Sequence, residues 1–162
     1  MKKLYRISIY ALLLLWLLAV VCVMFINNPQ PKFDEEYTHY LLRNIGIIPF
    51  GTTQSYIELI CLDKINIDIV VRNIAGNLVM FVPLGFLLPY IFDKLRNYRS
   101  MAGFAAAVAF VLEVVQLLTM SGRFDIDDII LRCFGALFGL FSTKILMKFI
   151  STIRTFKLKT TA

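Results

Sequence analysis

The chain has 162 residues, of which 59% are hydrophobic and 17% are charged, and its mean hydropathy is +0.73. These values exclude an ordinary soluble domain and indicate one small integral membrane domain. The formal net charge of +6 would suit a nucleic-acid partner, but the placement of the basic residues gives it another meaning.

Four stretches are apolar and long enough to cross a bilayer, which takes about 20 helical residues. They run over residues 7–26, 73–92, 101–120 and 129–150. The sequence therefore predicts an all-α membrane protein, a compact bundle of four transmembrane helices that forms a single domain over residues 1–162.

The basic residues concentrate on one side of these spans. Most of the 17 Lys and Arg residues lie before the first span, between the second and third, and near or after the end of the fourth. Most acids lie in the other connections. Because basic loops stay in the cytoplasm, both termini are expected there, with residues 27–72 outside. The positive charge is thus a topology signal, and no nucleic-acid partner is expected.

The outer loop, residues 27–72, is apolar for a connecting segment. Short surface helices are expected over 33–42 and 56–62, the second capped by Thr53 or Ser55. Such a loop is expected to lie on the membrane or to cover the bundle rather than to extend into water.

The three cysteines and the single histidine, His39, show neither a zinc spacing nor a disulfide framework. No metal site is predicted, and the sequence leaves any cofactor undetermined.

The second span carries Asn77 near its outer end and Pro83 and Gly85 near its middle. Pro83 lacks a backbone donor, and Gly85 allows a neighbouring helix to approach closely. Two interpretations of Asn77 stay open: a hydrogen bond between helices, or membership of a polar site.

The third span presents one face of small and then polar residues at helical spacing. This face consists of Ala102, Ala106, Ala109, Glu113 and Gln116. Glu113 lies about 10 Å below the outer end of the span, at 1.5 Å per residue. A lone ionised carboxylate at this depth would cost several kcal/mol, so a partner is expected, and Arg132 is the natural one.

The turn into the fourth span is rich in charge, and the span itself begins with a polar face. Asp125 or Asp127 would cap the fourth helix. One cap does not explain three acids and an arginine, so Asp127 is assigned to capping or solvation and the others to a pocket. The predicted polar pocket contains Asn77, Glu113, Gln116, Arg123, Asp125, Asp128 and Arg132. Asp128 and Arg132, spaced i,i+4, could also form an ordinary ion pair.

Gly135 and Gly139 form a small-xxx-small motif in the fourth span, and it predicts close packing within the bundle. The basic tail, residues 151–162, is expected to be disordered.

Five motifs in order resemble those of the VanZ-like family of bacterial membrane proteins. They are NIGIIPF at Asn44–Phe50, NLVMFVPLG at Asn77–Gly85, EVVQ at Glu113–Gln116, GRFDIDDII at Gly122–Ile130, and Gly135 to Gly139. The chain departs from the family pattern at Arg132, where an asparagine is usual, which leaves open an altered specificity. The resemblance implies a multi-pass protein of the bacterial cytoplasmic membrane. The family's namesake confers low-level resistance to teicoplanin, so a contribution to glycopeptide resistance is an implied role.

Three functions stay open. The first is binding or masking of a lipid-linked cell-wall precursor or another membrane lipid at the outer leaflet, with Arg123 meeting a phosphate or carboxylate. The second is an enzyme acting on a lipid head group, with Glu113 as general acid or base. The third is a proton-coupled carrier or assembly subunit in which Glu113 titrates. The sequence determines neither the ligand nor the oligomeric state.

Overall fold

The structure, a computed structural model, describes residues 2–26 and 37–160, with side chains over 4–25 and 37–153. Its elements in chain order are α1 (Lys2–Val21), a π-helical turn (Cys22–Ile26), α2 (Tyr37–Arg43), β1 (Ile45–Gly46), α3 (Gly51–Cys61), α4 (Ile67–Leu87), 3-10 turns at Leu88–Tyr90 and Asp93–Arg96, α5 (Tyr98–Leu118), β2 (Phe124–Asp125) and α6 (Ile126–Thr160).

Four stretches are long and apolar enough to cross a membrane, namely Leu4–Phe25, Ile67–Tyr90, Tyr98–Leu118 and Ile126–Ile153. The predicted fold class is therefore confirmed. We call the end of the bundle at which residues 119–125 connect α5 to α6 the turn end.

Two of the helices begin earlier than the predicted spans because asparagine caps start them. The Asn66 side chain accepts a hydrogen bond from the backbone N–H of Asp68 at 3.1 Å, so α4 begins at Ile67 instead of residue 73. Asn97 accepts from the N–H of Arg99 at 2.8 Å and starts α5 at Tyr98. Each cap satisfies a backbone donor that would otherwise lack a partner.

At the other end of the chain, the expectation of a disordered tail is wrong as far as Thr160, where α6 ends. Extending an existing helix adds one hydrogen bond per residue without a new nucleation cost. The polar composition of the tail from residue 151 therefore does not end α6.

The core lies between α4, α5 and α6. Its fully buried members are Phe81, Met101, Ala105, Ala109, Ala136 and Leu140. On α5 the predicted Ala102 and Ala106 are only partly buried, and Met101 and Ala105 take their place beside Ala109. The polar half of that face, Glu113 and Gln116, is buried as expected.

Helices α4 and α6 approach until their backbones touch, and three glycines make this possible. A Cβ added to Gly85 would lie 1.8 Å from the carbonyl oxygen of Ala136. One added to Gly135 would lie 1.9 Å from that of Leu78, and one at Gly139 2.1 Å from that of Val82. Any side chain at these positions would force the helices apart. Helix α4 runs through Pro83 without ending.

An aromatic side chain, Trp16, connects helix α1 to α4. The Trp16 indole N–H donates to the Met80 carbonyl at 2.6 Å, and its ring meets Phe81 edge-on with centroids 5.8 Å apart. Most other side chains of α1 are exposed, as suits a helix that faces lipid.

The segment from α2 to α3, residues 37–61, lies across the turn end. Strands β1 and β2 pair in parallel, with Ile45 opposite Phe124 and Gly46 opposite Asp125. The Tyr40 hydroxyl donates to the Gly122 carbonyl at 2.6 Å, and the Phe124 N–H donates to that of Asn44 at 2.9 Å. This segment therefore covers one end of the bundle.

Candidate functional site

A buried ion pair joins α5 to α6 near the turn end. Arg132 Nη1 lies 2.6 Å from Glu113 Oε1, with the side chains 3% and 0% exposed. These two atoms have no other hydrogen-bond partner among the described residues. Arg132 Nε donates to Asn77 Oδ1 at 3.0 Å, and the backbone N–H of Asp125 donates to Glu113 Oε2 at 2.9 Å. The partner expected for Glu113 is thus present.

This pair accounts for the burial of both charges. Desolvating an ion is expensive unless its partner and further hydrogen bonds replace the lost water. Both Glu113 oxygens are engaged, and the carboxylate does not line the cavity described below. The i,i+4 pair considered for Asp128 is not formed, because Arg132 turns its guanidinium to Glu113 instead.

Asp127 lies in the first turn of α6, but its side chain caps the N-terminus of α3. Its Oδ1 accepts from the Phe50 N–H at 2.5 Å, and its Oδ2 accepts from the Thr53 N–H at 3.0 Å and the Thr53 hydroxyl at 3.1 Å. Phe50, the residue before α3, is left-handed at φ 63° and supplies no side-chain cap. The expectation of a cap from Thr53 or Ser55 is wrong, since Thr53 donates here and Ser55 donates to the Gly51 carbonyl.

Asp125 performs the capping that was open to either acid. Its Oδ1 accepts from the Asp127 N–H at 3.0 Å, at the start of α6, and its Oδ2 accepts from the Thr52 hydroxyl. The carboxylate is buried and does not line the cavity. Asp125 and Asp127 together therefore fasten residues 37–61 to α6.

A polar cavity of about 470 Å³ opens at the turn end between α2, α4, α5, α6 and the π-helical turn that follows α1. Among the predicted pocket residues it is lined by Asn77, Gln116, Arg123, Asp128 and Arg132. Glu113 and Asp125 are buried next to these residues and do not line the cavity. Within the described residues, no group of three His, Cys, Asp or Glu side chains is arranged to hold a metal ion.

The cavity also contains residues that the sequence interpretation missed, chiefly Arg72 and Asn73 on α4. Arg72 was assigned to the outer loop because the second span was placed from residue 73. Had the Asn66 cap been recognised, helical spacing would have put Arg72 above Gly76 on one face, lining the same cavity.

Gln116 shapes one wall of the cavity. Its amide donates to the Met24 carbonyl at 3.3 Å, which ties the end of α1 to α5. The same side chain packs on the turn, where a Cβ added to Gly122 would lie 3.2 Å from Gln116 Nε2.

Among the described residues, three guanidinium groups and one carboxylate line the cavity. Glu113 offsets the charge of Arg132. The nearest carboxylate oxygen to Arg123 is that of Asp125, at 3.9 Å, and the Arg123 side chain is 56% exposed. Within the described residues Arg72 has no carboxylate at ion-pair distance. Arg72 and Arg123 can therefore present donors to an anion, with Asp128 beside them.

A family model described as VanZ/LLP1 matches residues 12–147 of the chain. This range contains the cavity residues named above and leaves out the first 10 residues of α1 and the last 13 of α6. No curated protein and no solved structure is significantly similar to the chain.

Proposed function

Because the chain belongs to the VanZ-like (VanZ/LLP1) family of multi-pass membrane proteins, we propose that it binds a lipid-linked component of the bacterial cell envelope. The polar cavity takes the anionic head group, at the outer leaflet of the cytoplasmic membrane. Binding withdraws that head group from other molecules, which is how the chain would contribute to teicoplanin resistance.

The orientation rests on charge. The 3-10 turn Asp93–Arg96 and the start of α5 lie at the end of the bundle opposite the cavity, and they carry Lys94, Arg96 and Arg99. Basic connections are retained in the cytoplasm. The turn end, with the cavity, then faces outward, and both termini are cytoplasmic.

The observation that carries the proposal is the pair of arginines in a cavity at the ends of membrane helices. Within the described residues, Arg72 has no carboxylate at ion-pair distance and Arg123 has only that of Asp125, at 3.9 Å, whereas Arg132 is paired with Glu113 at 2.6 Å. Guanidinium groups bind phosphate or carboxylate with paired hydrogen bonds. The Asn73 amide N–H groups and the Asp128 carboxylate add groups that can bind hydroxyls or amines of a larger head group, whereas the Asn77 amide is engaged by Arg132 and Asn73.

An enzyme acting on the head group is the second candidate, and it would use Asp128. A general acid or base must reach the bound ligand. Asp128 lines the cavity, whereas Glu113 is fully buried behind it. An Asp128→Asn variant that retains a lipid head group but no longer converts it would identify this role; unchanged conversion would exclude it.

The test is lipid retention in nanodiscs that contain bacterial polar lipids and a polyprenyl monophosphate. Native mass spectrometry of the released protein should show the phosphate lipid on the wild type and at least tenfold less on Arg123→Ala. Lys64→Ala is the matched control, because Lys64 is exposed and lies outside the cavity.

The same variants can be compared for teicoplanin tolerance in a susceptible Gram-positive host at equal membrane levels. Loss in Arg123→Ala with retention in Lys64→Ala is expected. If Arg72→Ala and Arg123→Ala retain the lipid as the wild type does, the proposal is wrong.

A further inference from the structure

A second depression, a groove of about 400 Å³, lies beside the polar cavity between β1, α3 and Arg123. Its apolar lining includes Ile45, Ile47, Ile48 and Leu59. The volume falls within the range of small-molecule sites, roughly 300–1,000 Å³.

The hydroxyl groups in the groove do not call for a polar ligand. Thr52 donates to Asp125, and Ser55 donates to the Gly51 carbonyl at 2.9 Å. Burial, together with the negative charges of Asp128 and Asp125, raises the pKa of the Tyr56 phenol, so that group stays protonated. Apart from Arg123 at its edge, the walls of the groove are therefore uncharged, and their best complement is hydrocarbon.

Arg123 joins the groove to the polar cavity, since its side chain lines both. Its guanidinium covers Gly46, where an added Cβ would lie 3.2 Å from Arg123 Nη2. The Arg123 guanidinium therefore lies at the boundary between the polar cavity and the apolar groove.

The groove is held at the turn end of the bundle, which the proposed orientation places at the outer leaflet. Asp127 caps α3 and β1 pairs with β2, so residues 37–61 cannot lie far from the helix ends. The side chains around the groove are exposed, with Ile47 at 64% and Ile48 at 74%. A hydrocarbon chain can therefore enter from the bilayer without crossing water.

We infer that the groove holds the hydrocarbon chain of the same lipid whose anionic head group occupies the polar cavity, with Arg123 at the junction of head and chain. This inference rests on the proposed function. It specifies the ligand class as a phosphate-bearing amphiphile recognised by both of its parts.

A photoreactive alkyl phosphate with a diazirine in mid-chain tests this, using the full chain in nanodiscs of zwitterionic lipid. Chain-length affinity would discriminate poorly, because lipid tails are as apolar as the groove. Peptide mapping should place the label within residues 45–59. Excess unlabelled alkyl phosphate should reduce that label at least tenfold, and the alcohol of equal chain length should not.

A substitution that fills the groove provides the specific control. Ser55→Trp, on the lining, should lower labelling of residues 45–59 at least tenfold. Gln54→Trp, the neighbouring position of α3 outside the groove, should retain it. Thermal unfolding of both variants verifies folding.

The outcomes separate the inference from the proposed function. If the label falls only on the lipid-facing sides of the long helices, or persists in Ser55→Trp, the groove assignment is overturned, even when phosphate-lipid retention still depends on Arg123. If alcohol competes as well as phosphate, head and chain do not belong to one ligand, and the inference also fails. If retention of the phosphate lipid does not depend on Arg123, the proposed function is wrong, and the inference that rests on it is wrong as well.

Discussion

Arg132 and Glu113 meet at 2.6 Å in a part of the bundle where both side chains are almost fully buried. The pair connects the fourth long helix to the third, and Asn77 extends the connection to the second through Arg132 Nε. Three helices are therefore fixed to one another directly beneath the cavity.

Removing one member of this pair should destabilise the protein more than removing both. Glu113→Gln or Arg132→Leu leaves an uncompensated buried charge, which typically costs roughly 3–5 kcal/mol, whereas a pair replaced by apolar groups is often tolerated. The double variant Glu113→Leu with Arg132→Leu should unfold at a higher temperature than Arg132→Leu alone. Thermal unfolding in detergent measures this, and silent, additive single changes would contradict it.

The glycines between α4 and α6 give a second prediction. Gly85→Ala and Gly135→Ala should lower thermal stability strongly, since each Cβ would lie within 2 Å of a backbone oxygen. Gly103→Ala on α5 is the matched control, because nothing lies within 4 Å of its Cβ. It should be neutral or stabilising by roughly 0.5–1 kcal/mol. Equal effects at Gly103 and Gly135 would refute the close packing.

Asp127→Asn should release α3 without unfolding the bundle. Asparagine keeps one acceptor oxygen, but an amide NH₂ replaces the other. Only one of the backbone N–H groups of Phe50 and Thr53 can then find an acceptor, so half of the cap is lost. Amide exchange over residues 51–61 should accelerate at least tenfold, with α4 to α6 unchanged. Asp68→Asn, an exposed acid in the first turn of α4, should leave exchange unaltered, and protection retained in Asp127→Asn would argue against the cap.

The contribution of Asp128 to head-group binding can be separated with two probes. Asp128→Asn removes the only carboxylate that lines the cavity within the described residues. Retention of a bare polyprenyl phosphate should rise severalfold because repulsion is relieved. Retention of a sugar-bearing polyprenyl phosphate should fall, because a charged acceptor for hydroxyl groups is lost. Parallel changes for both probes would show that Asp128 does not face the head group.

The topology is tested with single cysteines in a background that lacks Cys22, Cys61 and Cys133. A membrane-impermeant thiol reagent applied to intact cells should label a cysteine at Gln30 and not one at Tyr98, because basic connections stay inside. The reverse pattern would invert the assignment and place the cavity in the cytoplasm.

The elements that sequence predicted well are those with strong local physics. Four apolar runs specify four membrane helices, and burial of Glu113 demands a cation, which Arg132 supplies from the near end of the next helix. Close packing at Gly135 and Gly139 within the bundle follows from small residues at helical spacing, although the sequence did not name α4 as the partner. These inferences need only one helix, or two adjacent ones.

The elements that it missed depend on distant partners. Asp127 caps a helix 74 residues earlier in the chain, and nothing near Asp127 indicates this, since any acid at a helix start resembles a cap for that helix. Arg72 was missed because the second span was predicted to begin at residue 73. The Asn66 cap starts α4 less than two turns earlier, and this places Arg72 within the helix. Short β pairing at Ile45 and Phe124 has no alternating pattern to reveal it.

The pairing of residues 37–61 with the α5–α6 turn also imposes an order on folding. Gly122 follows Tyr40 by 82 residues, which take about 4–16 s to synthesise at roughly 5–20 residues per second. During that interval β1 has no neighbour, and the N-terminus of α3 has no acceptor. Residues 37–61 are therefore translated before the partners that hold them in place, and their apolar side chains stay without these contacts until the α5–α6 turn and α6 have been made.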